Sequence, residues 1–513
     1  MALRLTVPAG LADGGLPTET RPRQLKVWLD GLPLTQLFDS TKAVCDALAS
    51  LNRSRLAADD RLRLLDVYQP TLQRLRAEVA EDYNKAPLPL PATSRQAVNL
   101  VRELLIEEAY GYKLALLEKS TRLLLFGVPR QLAPLIEQIM HTLSEALTLS
   151  YHSYLPTPAG VWRELHELYR YAAQQKLLDV ESTEAAATPS ASAIERIYKQ
   201  AVLITLTDPY RLPRAELPEV MRIAALLAPL TEIGLGPPPC SQQLFVIHPD
   251  TDKPPKPVSQ PGSEGAPPEG EWSVGTAPLV QRLADAAAVR QSGTRAPAND
   301  ALQGVSLELL QRLIQCWGSP PKRVFRRQAG QAMVRIYSGI NRICRLLGGG
   351  AATLGGLHQY PAAPADEPLH EWEVINQSAG GFKLRGAHAG DAAINVGEII
   401  AVRHRGMPGF SIGAIRWVQS FDDGSVEFGV QMLAPRAEPA SLEISIGSRG
   451  AQRALLLPEI ATLQQPAAIV AHPGNHQPQR EFLLAHAENL NTIRAGELLE
   501  RTARYELFRI LPG

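Results

Sequence analysis

Cysteine is scarce in this chain: Cys45, Cys240, Cys316 and Cys344 are the whole complement in 513 residues. None stands in a CxxC spacing and no histidines cluster beside them, which excludes the usual zinc frameworks and leaves small buried hydrophobes or idle thiols in a reducing compartment. Long apolar runs are missing as well. Nowhere do about eighteen apolar residues follow one another, and the opening MALRLTVPAGLADGG has no charged start leading into an apolar stretch, so a cytoplasmic chain without a membrane span is expected. Net charge is absent, with 52 basic against 52 acidic residues, so the chain as a whole offers no electrostatic reason for a nucleic-acid or anionic-membrane partner. Catalytic equipment is absent too. There is no phosphate loop, nucleophile elbow, histidine pair or zincin motif. His388 and His404 stand alone without the orienting partner that catalysis requires, and Glu107, Glu108 and Glu118 fall on helix faces. The reading is of a binding protein, not an enzyme, with no cofactor.

What is present is a soluble, multi-domain α+β composition, 45% apolar and 20% charged, in a chain long enough for two or three cores. From about Pro33 to Leu235 apolar residues recur at three and four, as in Ala97, Leu100, Val101, Leu104 and Leu105, predicting about seven amphipathic helices in an all-helical domain over 1–235. Between 236 and 303 the composition turns to Pro, Gly, Ser and charge, which is linker material. One apolar island there, 242–248 (QQLFVIH), predicts a strand, with the C-terminal part as its candidate partner. A short helix is expected within 304–320.

After Pro321 the period changes to that of strands, at 332–339, 371–375, 381–385, 396–405, 410–419 and 426–433. Six strands suit a small closed antiparallel barrel over 321–437, since closure removes exposed edges. Asp423-Gly424 marks the hairpin joining the last two. A further β-rich region over 438–513 follows, as a second barrel or an extension of the first, expected to end in a helix near 495–504.

Two features carry chemistry. Lys322, Arg323, Arg326, Arg327, Arg335, Arg342 and Arg345 fall within 321–347, where there is no acidic residue. Guanidinium groups grip phosphates in pairs of hydrogen bonds and read the O6 and N7 edge of guanine, although a solvated basic loop has the same composition. The second is Asn376, Gln377, Ser378, Ala379, Gly380, Gly381, an NxSxxG pattern between two strands. Asn and Ser can bond ligand edges or their own backbone, and glycines permit close approach; an ordinary tight turn uses the same residues. Few aromatics, Phe325, Tyr337 and Tyr360, accompany the arginines, which speaks against a stacking platform for single-stranded nucleic acid.

Taken in order, the arginine-rich lead-in, the NxSxxG turn and the closing hairpin GAIRWVQSFDDGSVEFGVQML (413–433) resemble the PilZ domain family. The resemblance implies a receptor for the bacterial second messenger cyclic di-GMP. Its ligand residues would be Arg323, Arg326 and Arg327 from the RxxxR region and Asn376, Ser378 and Gly381 from the turn, with binding ordering residues 322–331. Two registers of RxxxR are open: Arg323 with Arg327, or, counting back from a first strand at Ala332, Arg327 with Gln331. The second register lacks one clamp residue, and its consequence is a barrel that has lost the nucleotide and serves as a protein-interaction scaffold. In both readings the helical domain docks an unidentified protein partner.

Overall fold

Helical periodicity dominates as far as Leu230. The computed structural model describes all residues except 1–2, 11–18, 34, 127–128, 179–191, 235–244, 259–269, 294–299, 319–326, 349–370, 388–393, 406–408, 445–449, 460–465, 487–488 and 513. The first helices are α1 (Pro22–Asp30), α2 (Leu37–Arg53), α3 (Ala58–Lys85), α4 (Ala92–Phe126), α5 (Ala133–His152), α6 (Val161–Gln174), α7 (Ala193–Leu206) and α8 (Leu217–Leu227). Each puts an apolar stripe inward. In α5, Ile136, Ile139, Met140, Leu143 and Leu147 are buried at helical spacing. Ser192 caps α7, its Oγ accepting the Glu195 N–H at 3.2 Å, a contact worth about 1 kcal/mol. Helix α6 is the anchor of two distant segments. Its buried Glu164 pairs with the buried Lys113 of α4 and also accepts the backbone N–H of Thr6 at 2.8 Å, the second bond offsetting part of the desolvation cost.

The span 236–303, expected as linker, carries folded elements, a correction to the composition reading. Strands β1 (Glu232–Gly234), β2 (Phe245–Ile247), β3 (Lys256–Pro257) and β4 (Trp272–Gly275) form a sheet in the order β1-β4-β2-β3. The described part of the island at 242–248 thus pairs with β4, Phe245 opposite Val274 and Ile247 opposite Trp272, and not with the C-terminal part. Helices α9 (Ala277–Gln291) and α10 (Leu307–Gly318) follow. Phe245, Ile247, Trp272, Leu283, Leu313 and Trp317 join the same buried core as the first helices. Composition averaged over the segment hid these elements, because a few well-placed apolar residues are enough to bury a four-residue strand.

The chain divides into two compact units, one over Met1–Ala86 and Leu90–Lys322, the other over Arg323–Gly513 with Pro87–Pro89. The second begins with β5 (Gln328–Ala329), β6 (Met333–Ser338), α11 (Ile340–Leu347), β7 (Glu371–Ser378), β8 (Gly381–Ala387), β9 (Ile399–His404), β10 (Ser411–Ser420) and β11 (Ser425–Ala434). The expected six-stranded barrel is present. Strands run in the order β7-β6-β9-β10-β11-β8, and β8 returns to pair with β7. Alternation places Val334, Trp372, Val374, Leu384, Val402 and Phe428 inside. Gly424, at φ 83, makes the β10–β11 turn.

Strands β12 (Glu438–Ile444), β13 (Gln452–Leu457), β14 (Ala468–Ala471), β15 (Glu481–His486), β16 (Asn489–Arg501) and β17 (Glu506–Pro512) close a second barrel, in the order β12-β13-β14-β17-β16-β15. The closing helix expected near 495–504 is therefore not formed. That stretch holds Glu, Leu and Arg, all good helix formers, yet as far as Arg501 it continues β16, where pairing with β17 and the burial of Ala495 inside the barrel override the local preference. Helix α11 lies between the barrels, and Ile340, Ile343, Ile399, Ile412, Leu455 and Leu507 share one buried cluster. Among the described residues Cys45, Cys316 and Cys344 are unpaired. Burial pushes the Cys45 thiol up to about 12 and those of Cys316 and Cys344 up to about 11, so all three stay protonated.

Candidate functional site

The NxSxxG pattern lies at the mouth of a hairpin. Strand β7 runs through Asn376 to Ser378, only Ala379 and Gly380 turn the chain, and β8 starts at Gly381. Across the ladder Asn376 faces Lys383 and Ser378 faces Gly381, and the Ser378 Oγ donates to the Gly381 carbonyl at a long 3.5 Å. Among the described residues the Asn376 side chain makes no hydrogen bond. Gly381 has a reason that the sequence reading did not supply. A Cβ there would stand 1.9 Å from the Val430 carbonyl oxygen, so only glycine lets β8 approach β11 this closely.

The other edge of β7 decides where the arginines go. Short β5 pairs with it, Gln328 opposite Gln377 and Ala329 opposite Asn376, and after a bulge β6 continues the pairing with Met333 opposite Glu373. The first strand thus begins at Gln328, not at Ala332. Arg327 is the residue immediately before it, exposed, and one further step along the ladder brings it level with Ser378. The structure therefore gathers Arg327, Asn376, Ser378 and Gly381 at one end of the barrel. Arg323 and Arg326 lie outside the described residues. Lys322 also lies outside them, and two later members of the run go elsewhere: Arg335 pairs with Glu371 at 3.1 Å, and Arg342 lies on α11 over the Tyr337 ring.

A row of outward positions extends from the motif around the barrel. Asn376 neighbours Lys383, Lys383 neighbours Gly429, and Gly429 neighbours Trp417. The indole fills the space that a side chain at 429 would take, with Trp417 Nε1 just 1.9 Å from a Cβ built there. Lys383 Nζ bonds Glu427 at 2.7 Å and stands 5.9 Å from the Trp417 ring. The sequence reading missed this cation and this ring. Their signal was present in the alternation of β8, where buried Leu384 sends Lys383 outward, but the partner strand that supplies Trp417 is set by barrel closure.

Comparison with known proteins bears on this arrangement. Three family models match in succession: the cyclic-di-GMP receptor FimW N-terminal domain over residues 23–238, its middle PilZ domain over 244–351 and 356–439, and the FimW C-terminal β-barrel domain over 443–511. The chain belongs to the FimW family of PilZ proteins. A curated relative, the cyclic-di-GMP receptor FimW of Pseudomonas aeruginosa, is 25% identical over an alignment of 539 positions, covering 91% of this chain and 86% of the relative. The NxSxxG hairpin and its neighbouring Arg327 fall within the span matched by the PilZ model. That model begins at 244, whereas Phe245, Trp272, Leu283, Leu313 and Trp317 pack into the helical core, so the sequence family and the compact units divide the chain at different points. No helix among the described residues is long and apolar enough to cross a membrane.

Proposed function

We propose that this chain is a cytoplasmic receptor for cyclic di-GMP and acts by binding, not catalysis. The observation that carries the reading is the β5–β7 register, which sets an exposed arginine level with Ser378 and beside an Asn376 whose side chain is free of partners among the described residues. An arginine fork in that place suits a phosphodiester, while Asn and Ser suit the polar edge of a guanine. The strand start at Gln328 favours the RxxxR register of Arg323 with Arg327, which leaves Gln331 out of the clamp. Arg323 and Arg326 complete the proposed phosphate grip by the family resemblance. The relative's description as a cyclic-di-GMP receptor agrees with this assignment.

The helical unit takes the role of partner docking. A groove of about 300 Å³ between α2, α3 and α4, lined by Leu37, Phe38, Val79, Tyr83 and Leu100, supports that role. The test is calorimetric titration of cyclic di-GMP into the purified chain, with GMP and cyclic GMP as controls. Saturable binding is expected, weakened about tenfold or more by Arg327→Ala, which removes a charged hydrogen-bond donor, and about fivefold by Ser378→Ala. A folded chain that takes up no heat well above micromolar nucleotide would overturn the proposal and leave the scaffold reading.

A further inference from the structure

The turn between β7 and β8 is anchored to β11, and the anchor continues beyond the PilZ barrel. Gly380 accepts the Met432 N–H at 3.0 Å, Gly381 lies opposite Gln431, and the missing Cβ of Gly381 lets the two backbones touch. Gln431 in turn accepts the Arg416 Nε–H at 2.8 Å through its side chain. The remaining face of that guanidinium is committed to Glu500 of β16, in the C-terminal barrel, with both carboxylate oxygens engaged and Nη2 to Oε2 at 2.8 Å.

Both ends of this link stand at irregularities in their strands. The β10–β11 register shifts between Ile415 and Trp417, and the β16–β17 register shifts between Leu498 and Glu500. A bulge re-aims a side chain that regular alternation would send elsewhere, and here two bulges on different barrels aim Arg416 and Glu500 at each other. The pair is also partly withdrawn from water, with side-chain exposures of 24% and 22%, so it is screened less than a surface pair. The barrels do not depend on this pair to stay together, since the apolar cluster of Ile399, Ile412, Leu455 and Leu507 already joins them. What the pair adds is direction, because a planar fork held on one side by a carboxylate presents its Nε–H to Gln431 along a set line.

We propose that the C-terminal barrel is part of the ligand-site machinery, with Glu500, Arg416 and Gln431 as positioning residues that hold the NxSxxG turn against β11. Nucleotide at the turn and any partner that shifts the C-terminal barrel are then linked, each altering the affinity for the other by the same factor. The affinity consequence rests on the function proposed above; the positioning of the turn does not.

The experiment uses the full chain with Glu500→Gln, which weakens the pair, and Gln431→Leu, which leaves the pair whole and cuts only its connection to the turn. Hydrogen exchange of the Met432 amide, without nucleotide, is expected to quicken about fivefold in both variants, and cyclic di-GMP affinity to fall by a similar factor, the scale of one charge-assisted hydrogen bond near the surface. Amides of the β9–β10 ladder serve as the internal control and are expected to stay at their wild-type rates. If Gln431→Leu leaves Met432 exchange unchanged, the pair is only an attachment between barrels and the proposal fails. If the wild-type chain takes no nucleotide, the function proposed above is lost while the exchange comparison still decides this one.

Discussion

A methyl group at residue 381 would collide with the Val430 carbonyl oxygen, 1.9 Å from where the Cβ must stand. The β11 backbone it meets is held in ladders on both sides, by β8 and by β10, so relief requires the strands to part. Gly381→Ala is expected to destabilise the barrel unit by about 2 kcal/mol or more, as overpacking against rigid backbone does, and thermal denaturation followed in the near-ultraviolet, where the barrel tryptophans report, checks it. The contrast with Ser378 is informative. Ser378 is only half-buried and its one hydrogen bond is long, so Ser378→Ala should leave the melting temperature nearly unchanged while weakening ligand binding. A single motif therefore contains one residue needed by the fold and one available to a ligand, and the sequence pattern alone gives them equal weight.

At the scale of elements, helix α6 shows how a segment read as linker stabilises a helix far away in the chain. Its N-cap is Gly160, in a left-handed conformation at φ 86, which has no side chain to satisfy the first amides. Asp252, in the connection between β2 and β3, does this instead. Its carboxylate accepts the Gly160 N–H at 2.5 Å and the Arg163 N–H at 3.2 Å, and its charge also suits the positive end of the helix. Asp252→Ala is expected to cost about 1 kcal/mol, the usual loss on removing a cap, and Asp252→Asn about half of that. Urea denaturation followed by helical circular dichroism measures both. No cost in either variant would mean that water satisfies these amides equally well.

At the scale of the whole molecule the helical unit should be the acid-sensitive part. Burial lowers His166 and His152 to about 4 from an ordinary value of 6.5. His166 sits among Trp162, Tyr198 and Trp272, its Nδ1 bonded to the Tyr198 hydroxyl at 2.6 Å and its Nε2 to the Lys253 carbonyl at 3.0 Å. A histidine whose folded value is depressed contributes stability that is whole above the unfolded value and is lost as pH falls toward the folded one. The window is therefore about 6.5 down to about 4, and each histidine is expected to cost about 2 kcal/mol between pH 7 and pH 5. Glu108 and Glu216, raised by burial, act in the opposite sense. The difference between wild type and His166→Gln in the pH dependence of the urea midpoint isolates one histidine. A slope unchanged by the substitution would show that His166 is not held neutral.

Local chemistry was legible in the sequence because it is written within a few neighbouring residues. The change from a helical to a strand period near Pro321, the Asp-Gly hairpin and the placement of NxSxxG between two strands all follow from side-chain spacing and turn preference, and closure into a barrel follows from the need to pair edges. What only the tertiary structure decided are pairings between distant residues. The two-residue β5 has no periodicity to read, yet its register on β7 brings Arg327 level with Ser378. The run at 495–504 is helical by composition, yet as far as Arg501 it is a strand by its partner β17. Arg416 and Glu500 are 84 residues apart and meet only because two bulges on two barrels turn toward one another. Sequence determines what each segment can become; closure and burial, which sum many small gains over distant partners, choose among those forms.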